Sequence, residues 1–97
     1  MKVLRITMQD GSEWEVPAEI IAKHRAAYYA EKEGPEVLEK EFQHAMKCDD
    51  ELLDWAPNNM DWKDVAAHAR QVLPPNPPEI DFQEAWLNGP KEICEVP

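Results

Sequence analysis

The sequence predicts an α+β fold in which an N-terminal antiparallel β-hairpin packs against three to five short helices. Two short segments of alternating hydrophobicity flank an Asp-Gly pair near the N-terminus, and most of the remaining chain has apolar residues at helical spacing. Prolines and glycines separate these segments. A length of 97 residues is typical of one domain, so residues 1–97 are expected to form a single folding unit.

The hairpin is predicted from residues 2–8 and 13–16, in which apolar and polar side chains alternate. Asp10-Gly11 lies between them, and this pair is typical of a tight hairpin turn. The apolar face of the hairpin is expected to contain Leu4, Ile6, Met8, Trp14 and Val16. Glu13 and Glu15 alternate with these residues and are therefore expected in solvent.

Helical spacing and chain breaks predict four helices in the middle of the chain, at residues 18–33, 36–47, 51–56 and 62–68. Pro17 lies at the start of the first helix and Gly34 at its end. The inward face of this helix is expected to contain Ile20, Ile21, His24, Ala27, Tyr28 and Glu31. Pro57-Asn58-Asn59 predicts a turn, and Asp61 is expected to cap the fourth helix. The sequence leaves open whether the second and third helices are continuous.

The C-terminal part combines a candidate strand, a connector and one more helix. Residues 69–73 fit either the end of the fourth helix or a third strand, and the strand is favoured because a two-stranded hairpin alone is marginally stable. Residues 74–79 are a proline-rich connector to a C-terminal helix-containing segment. Asp81 is expected to cap that helix, and Gly89 to end it in the left-handed conformation. The tail is strand-like at residues 92–96.

The charge of the chain restricts the classes of function. Twenty acidic residues against ten basic ones give a net charge of −10, which opposes direct binding to nucleic acid or to an anionic membrane. Neither a membrane span nor a signal peptide is apparent, so the cytoplasm is the expected compartment. The three glycines are isolated, and Ser12 is the only serine. We therefore expect no enzymatic activity and no cofactor.

The densest cluster of acidic and aromatic residues lies at residues 49–64, inside a segment, 31–64, that has eleven acidic and four basic residues. The sequence predicts that this cluster binds a basic surface of another protein, with acids that steer the approach and exposed aromatics that add affinity. The candidate partner-binding residues are Glu39, Asp49, Asp50, Glu51, Asp54, Trp55, Asp61, Trp62 and Asp64. Three of the four tryptophans are expected in the core, and Trp55 or Trp62 is the best candidate for partial exposure. In the sharpest form of this hypothesis the carboxylates imitate nucleic-acid phosphates.

An alternative function is a small metal- or ligand-binding protein that uses His44, Cys48 and the neighbouring Asp49 and Asp50. The first two residues are four apart, so on one helix they would face the same way. A structural zinc site needs a second pair of ligands, and the acidic segment lacks the ligand order of a calcium loop. The interpretation without a metal is therefore preferred, and both cysteines are expected to stay reduced.

Several segments resemble small acidic proteins from bacteriophage and prophage genomes: Asp10-Gly11-Ser12-Glu13-Trp14-Glu15-Val16-Pro17-Ala18-Glu19-Ile20-Ile21-Ala22, Ala26-Ala27-Tyr28-Tyr29-Ala30, Leu53-Asp54-Trp55-Ala56, Asn58-Asn59-Met60-Asp61-Trp62 and Trp86-Leu87-Asn88-Gly89. That family has no established activity or active site. The resemblance therefore implies a context, life inside a bacterial cell, and not a mechanism; in that context the basic partner is expected to be a bacterial host protein. Independently, a short sheet leaves an edge strand, and pairing in a homodimer is one way to cover it.

Overall fold

The computed structural model describes residues 1–73 and 81–97, and these residues adopt the predicted α+β fold. The strands are β1 (Lys2–Thr7), β2 (Glu13–Pro17), β3 (Arg70–Leu73) and β4 (Lys91–Glu95). The helices are α1 (Ala18–Glu33), α2 (Leu38–Lys47), α3 (Asp49–Asn59), α4 (Trp62–Val65) and α5 (Phe82–Asn88). Short 3₁₀ turns, Pro35–Val37 and Ala66–His68, precede α2 and follow α4. The connector predicted at residues 74–79 lies outside the described residues.

The four strands form one antiparallel sheet in the order β3-β2-β1-β4. The turn between β1 and β2 confirms the predicted hairpin: Gly11 has a φ of 84°, and the Asp10 carboxylate accepts a hydrogen bond from the backbone N–H of Ser12 at 2.8 Å. Strand β3 confirms the favoured prediction for residues 69–73. The tail forms β4, so the sheet gains a strand on each side of the hairpin.

The core lies between the sheet and the helices. Its buried side chains are Leu4, Ile6, Met8, Val16, Ala18, Ile21, Ala22, Ala45, Leu52, Trp55, Ala56, Met60, Val65, Ala85 and Trp86. The strand residues in this set alternate along β1 and β2, as the sequence pattern predicts. Leu4 faces Val16 across the hairpin and Ile93 across the other side of β1, which extends the apolar face to β4.

The prediction that Glu15 is in solvent is wrong, because its side chain is only 5% exposed. Arg5 Nη2 donates to Glu15 Oε2, and Arg70 Nη2 donates to Glu15 Oε1 at 2.8 Å. Arg5 and Arg70 are the cross-strand neighbours of Glu15 on β1 and β3. The carboxylate can be buried because both of its oxygens are paired with cations.

The predicted inward face of α1 is correct only in part: Ile21 is fully buried and Ile20 packs half-buried against the core. The buried residues of this helix are Ala18, Ile21, Ala22, Arg25 and Ala26. The other predicted residues, His24, Ala27, Tyr28 and Glu31, are exposed instead. Arg25 explains the difference: its Nη1 donates to Glu41 on α2 at 2.9 Å, and its guanidinium lies 4.7 Å from the centre of the Tyr29 ring. A charged residue thus occupies the inward face, where hydrophobic periodicity would not place it.

Helix α3 differs from the prediction at both ends. Cys48, with extended φ and ψ of −125° and 98°, separates α2 from α3, which answers the question of continuity. The predicted turn at Pro57-Asn58-Asn59 is wrong, since α3 continues to Asn59. Proline lacks the N–H that would donate to the carbonyl oxygen of Leu53, four residues earlier, so the helix continues past Pro57 with one backbone hydrogen bond fewer. One residue on, the side chain of Asn58 donates to the carbonyl oxygen of Asp54 at 2.7 Å and to its carboxylate at 3.2 Å, which adds side-chain hydrogen bonds to the last turns of the helix.

The end of α5 depends on a close approach of three backbone segments. Gly89 has φ −70° and ψ 146°, so the predicted left-handed stop is wrong. A side chain at position 89 would collide with the carbonyl oxygens of Thr7 and Ala85. Glycine is therefore required because α5 passes directly against β1 before the chain enters β4.

Candidate partner-binding surface

Four aromatic side chains meet where β2, α4 and α5 come together: Trp14, Trp62, Phe82 and Trp86. Trp62 stacks on Phe82 with 5.5 Å between ring centroids and 16° between ring planes. Trp14 meets both rings edge-on, at 5.5 Å from Trp62 and 5.8 Å from Phe82. Trp86 is fully buried, whereas the other three rings are half-buried. These three rings form an aromatic patch that is partly accessible to solvent.

Hydrogen bonds fix the position of this patch. The backbone N–H of Trp62 donates to Gln83 Oε1 at 2.7 Å, and Gln83 Nε2 donates to Asp61 Oδ1 at 3.1 Å. On the other side, the indole N–H of Trp14 donates to the hydroxyl of Ser12 at 3.1 Å. The hairpin turn therefore holds the indole of Trp14, whereas α5 fixes the backbone of Trp62, whose ring is held by packing against Phe82 and Trp14. Rings that are fixed before binding lower the entropy that binding would cost.

Acidic side chains lie beside Trp62. Asp61 is the N-cap residue of α4, as predicted, and its backbone N–H donates to Asp64 Oδ2 at 2.8 Å. An open cleft of about 400 Å³ is lined by Asp61, Trp62, Lys63 and Gln83. We call the group of Trp14, Asp61, Trp62, Asp64 and Phe82 the Trp62 surface. It combines aromatic area with two exposed carboxylates.

The predicted acids of α3 divide into two kinds. Asp49 pairs with Lys2 at 2.8 Å, and Glu51 lies 3.5 Å from Arg25 Nε, so both carboxylates contact cations of their own chain. Asp50 and Asp54 are exposed, and neither forms an ion pair with any residue in 1–73 or 81–97. Of the acids predicted on α3, these two remain free to act on a partner.

Of the two candidates for partial exposure, Trp62 is half-buried, whereas Trp55 belongs to the core and is only 8% exposed. Trp14 is half-buried too, so two of the four tryptophans are buried where the sequence predicts three. The indole N–H of Trp55 donates to His24 Nδ1 at 2.9 Å. Its ring lies 5.3 Å from that of Tyr28 and 6.1 Å from that of Tyr29. These contacts join α3 to α1, which makes Trp55 a structural residue.

The contact between Trp55 and His24 gives a stability prediction. Replacing His24 with alanine should lower the free energy of unfolding by about 1 kcal/mol, because the nearly buried indole N–H loses its acceptor. Urea unfolding followed by circular dichroism measures this change. His44→Ala is the matched control, since His44 is also exposed on a helix, and it should change stability by less than about 0.5 kcal/mol. Equal effects of the two substitutions would contradict the structural role of the bond.

The remaining predicted residues lie elsewhere. Glu39 lines a second cavity of about 400 Å³ between α1 and α2, together with Lys23 and Phe42, and not the cleft beside Trp62. His44 is on α2, whereas Cys48 lies at the break before α3, so the two do not share a helical face. Within the described part of the chain, no three His, Cys, Asp or Glu side chains are grouped so that they could hold a metal ion.

No protein-family model matches the chain, and no curated protein or solved structure matches it either. The relationship to bacteriophage proteins therefore stays a prediction from local sequence resemblance. Over residues 1–73 and 81–97, no helix combines the length and the apolar character that crossing a bilayer requires.

Sequence reasoning missed three members or supports of the candidate surface, namely Trp14, Phe82 and Gln83. One signal was present: Phe82 directly follows the predicted cap Asp81 and lies four residues before Trp86, a spacing that places both rings on one face of α5. The contact of Phe82 with Trp62 joins two separate helices. Residue spacing within either helix carries no information about that contact.

Proposed function

We propose that this chain is a non-catalytic interaction protein that binds a basic surface of a bacterial host protein. Trp62 is the affinity anchor of this proposal. The exposed acids Asp50, Asp54, Asp61 and Asp64 provide electrostatic attraction. The observation that carries the proposal is the position of a half-buried tryptophan, held by stacking on Phe82, next to Asp61 and Asp64, which form no ion pair with any residue in 1–73 or 81–97.

The distribution of ion pairs supports this proposal. Arg5 and Arg70 are paired with Glu15, and Arg25 lies between Glu41 and Glu51. The arginines of the chain thus neutralise acids inside the fold. Asp61 and Asp64 have no ion pair with any described residue, so their charge acts on the surroundings. An approaching basic surface would be attracted and oriented by it.

The aromatic part of the Trp62 surface supplies what charge alone does not. Exposed ion pairs add little net affinity, because water and salt screen them. Tryptophan is enriched among residues that dominate binding energy, especially where its orientation is fixed before binding. A cationic side chain of the partner that contacts the face of Trp62 would also gain a cation–π interaction.

Capture experiments with paired variants test the proposal. Trp62→Ala should weaken binding to the captured partner roughly 30-fold, as expected for a central anchor. Asp50→Asn with Asp54→Asn should slow association several-fold and flatten the salt dependence. Wild-type protein is immobilised, bacterial lysate is passed over it at low salt, and bound proteins are identified and then measured individually by surface plasmon resonance.

The charge-matched control is Glu19→Gln with Glu31→Gln, which removes two exposed acids from α1 without touching the candidate surface. It should leave association nearly unchanged. Circular dichroism confirms that each variant is folded. Binding that ignores salt, or that survives Trp62→Ala, would contradict the proposal. Competition by duplex DNA for the captured partner would support the version in which carboxylates imitate phosphates.

A further inference from the structure

Strand β4 leaves one edge of the sheet open. Its residues pair regularly with β1 from Lys2↔Glu95 to Ile6↔Lys91, without a bulge and without proline. No strand in the described part of the chain pairs with its outer side. The opposite edge, β3, is different: it has four residues, and its pairing with β2 has an irregularity between Glu13 and Trp14. Irregular short edges resist pairing with another chain, whereas regular edges favour it.

The hydrogen bonds at the ends of β4 determine which backbone groups point outward. Met1 and Val96 exchange two backbone hydrogen bonds of 2.8 Å, and the N–H of Thr7 donates to the carbonyl oxygen of Pro90 at 3.1 Å. Antiparallel pairing alternates, so Glu92 and Cys94 also bond to β1. The N–H and C=O groups of the alternate residues Lys91, Ile93 and Glu95 therefore point away from the sheet.

The segment that contains these three residues is complementary to the same segment of a second copy when the two strands run antiparallel. We propose that a second copy of this chain pairs with β4 across a two-fold axis at Ile93. In this register Ile93 faces its own equivalent, and Lys91 faces Glu95 of the second copy on each side of the axis. The backbone groups that point outward would then all be paired, and the two four-stranded sheets would become one continuous sheet.

The side chains support the same register. Lys91, Ile93 and Glu95 lie on one face of β4, so directly opposite residues of the two copies would be in contact. Ile93 is half-buried against the core, and pairing would cover more of it. The ammonium group of Lys91 donates to the carbonyl oxygens of Leu87 and Gly89, which leaves one N–H for a carboxylate of the second copy.

Net charge opposes this association, because each copy carries a formal charge of −10. Salt screens the long-range repulsion more than the short contacts between Lys91 and Glu95. Self-association should therefore strengthen from low to moderate salt. Binding of a basic partner at the Trp62 surface should show the opposite dependence, so the two proposals can fail independently.

Charge exchange at positions 91 and 95 tests the register by sedimentation equilibrium. Glu95→Lys places lysines opposite lysines, and Lys91→Glu places acids opposite acids. Each variant alone should therefore self-associate at least roughly tenfold more weakly than wild-type protein. An equimolar mixture of the two variants should associate as well as wild-type protein, because both pairs become complementary again. Glu33→Lys, at an exposed site on α1, is the control for a change in net charge and should retain self-association.

A cross-linking variant provides a second readout that does not depend on Lys91. In the proposed register, position 92 of one copy lies opposite Cys94 of the other in a non-hydrogen-bonded pair. The Cα atoms of such a pair are close enough for a disulfide to span them. Oxidised Glu92→Cys protein should therefore form covalent dimers. A wild-type protein that stays monomeric at all salt concentrations, or a mixture that associates no better than its components, would overturn the proposal.

Discussion

Replacing Trp86 with alanine should lower the free energy of unfolding by about 3–5 kcal/mol, the largest effect expected of any single substitution in this chain. The side chain is fully buried, and its indole N–H donates to the backbone carbonyl of Met60 at 3.0 Å. Its ring lies 6.1 Å from that of Trp62. The substitution removes the ring that packs against Trp62 in the core, and it takes away the side-chain donor of the Met60 carbonyl. Urea unfolding monitored by circular dichroism measures the loss.

Two further variants separate the causes. Trp86→Phe retains most of the apolar volume but not the hydrogen bond, and it should cost about 1–2 kcal/mol. Leu87→Ala changes the neighbouring position, which is 44% exposed, and should cost less than about 1 kcal/mol. A small domain has roughly 5–15 kcal/mol of stability, so Trp86→Ala is expected to be partly unfolded at physiological temperature. Similar midpoints for Trp86→Ala and Leu87→Ala would contradict the central role of Trp86.

The apolar part of this fold was predictable because it depends on local patterns. Alternation along β1 and β2, the Asp10-Gly11 turn and the caps Asp61 and Asp81 are all encoded within a few neighbouring residues. Each of these features is present in the structure. The candidate surface was predictable in part for the same reason, since Asp61 and Trp62 follow each other at the start of α4.

The charged residues inside the fold were not predictable from local patterns. Glu15 is buried on the face of β2 that alternation assigns to solvent, and Arg25 lies on the buried face of α1; each is buried because a partner from another element meets it. Trp55 was included among the partner-binding residues for a related reason, since the contact that buries it, with its acceptor His24, comes from α1. Burial of a polar group depends on contacts between distant segments, which residue spacing does not report.

The burial of Glu15 between two arginines should make the stability of the protein sensitive to acid. Hydrogen bonds from Arg5 and Arg70 to the carboxylate lower the pKa of Glu15 below its ordinary value of 4.5, and they outweigh the opposing effect of burial. Glu15→Gln keeps the shape of the side chain but loses the charge, so it should reduce the free energy of unfolding at neutral pH by about 1–2 kcal/mol. Denaturant unfolding over a range of pH values measures both proteins.

The sign of the pH effect follows from the lowered pKa. Between the folded pKa and 4.5 the unfolded chain binds a proton at Glu15 that the folded chain does not, so acid favours unfolding. The contribution of the charged carboxylate is complete above pH 4.5 and is lost as the pH falls through the folded pKa. The stability difference between wild type and Glu15→Gln should therefore be constant near neutrality and shrink below pH 4.5.

Glu13→Gln, on the same strand but outside the described ion pairs, is the matched control and should show little difference from wild type at any pH. A gap between wild type and Glu15→Gln that persisted unchanged into strong acid would mean that packing of the side chain, and not its charge, holds Arg5 and Arg70 against β2.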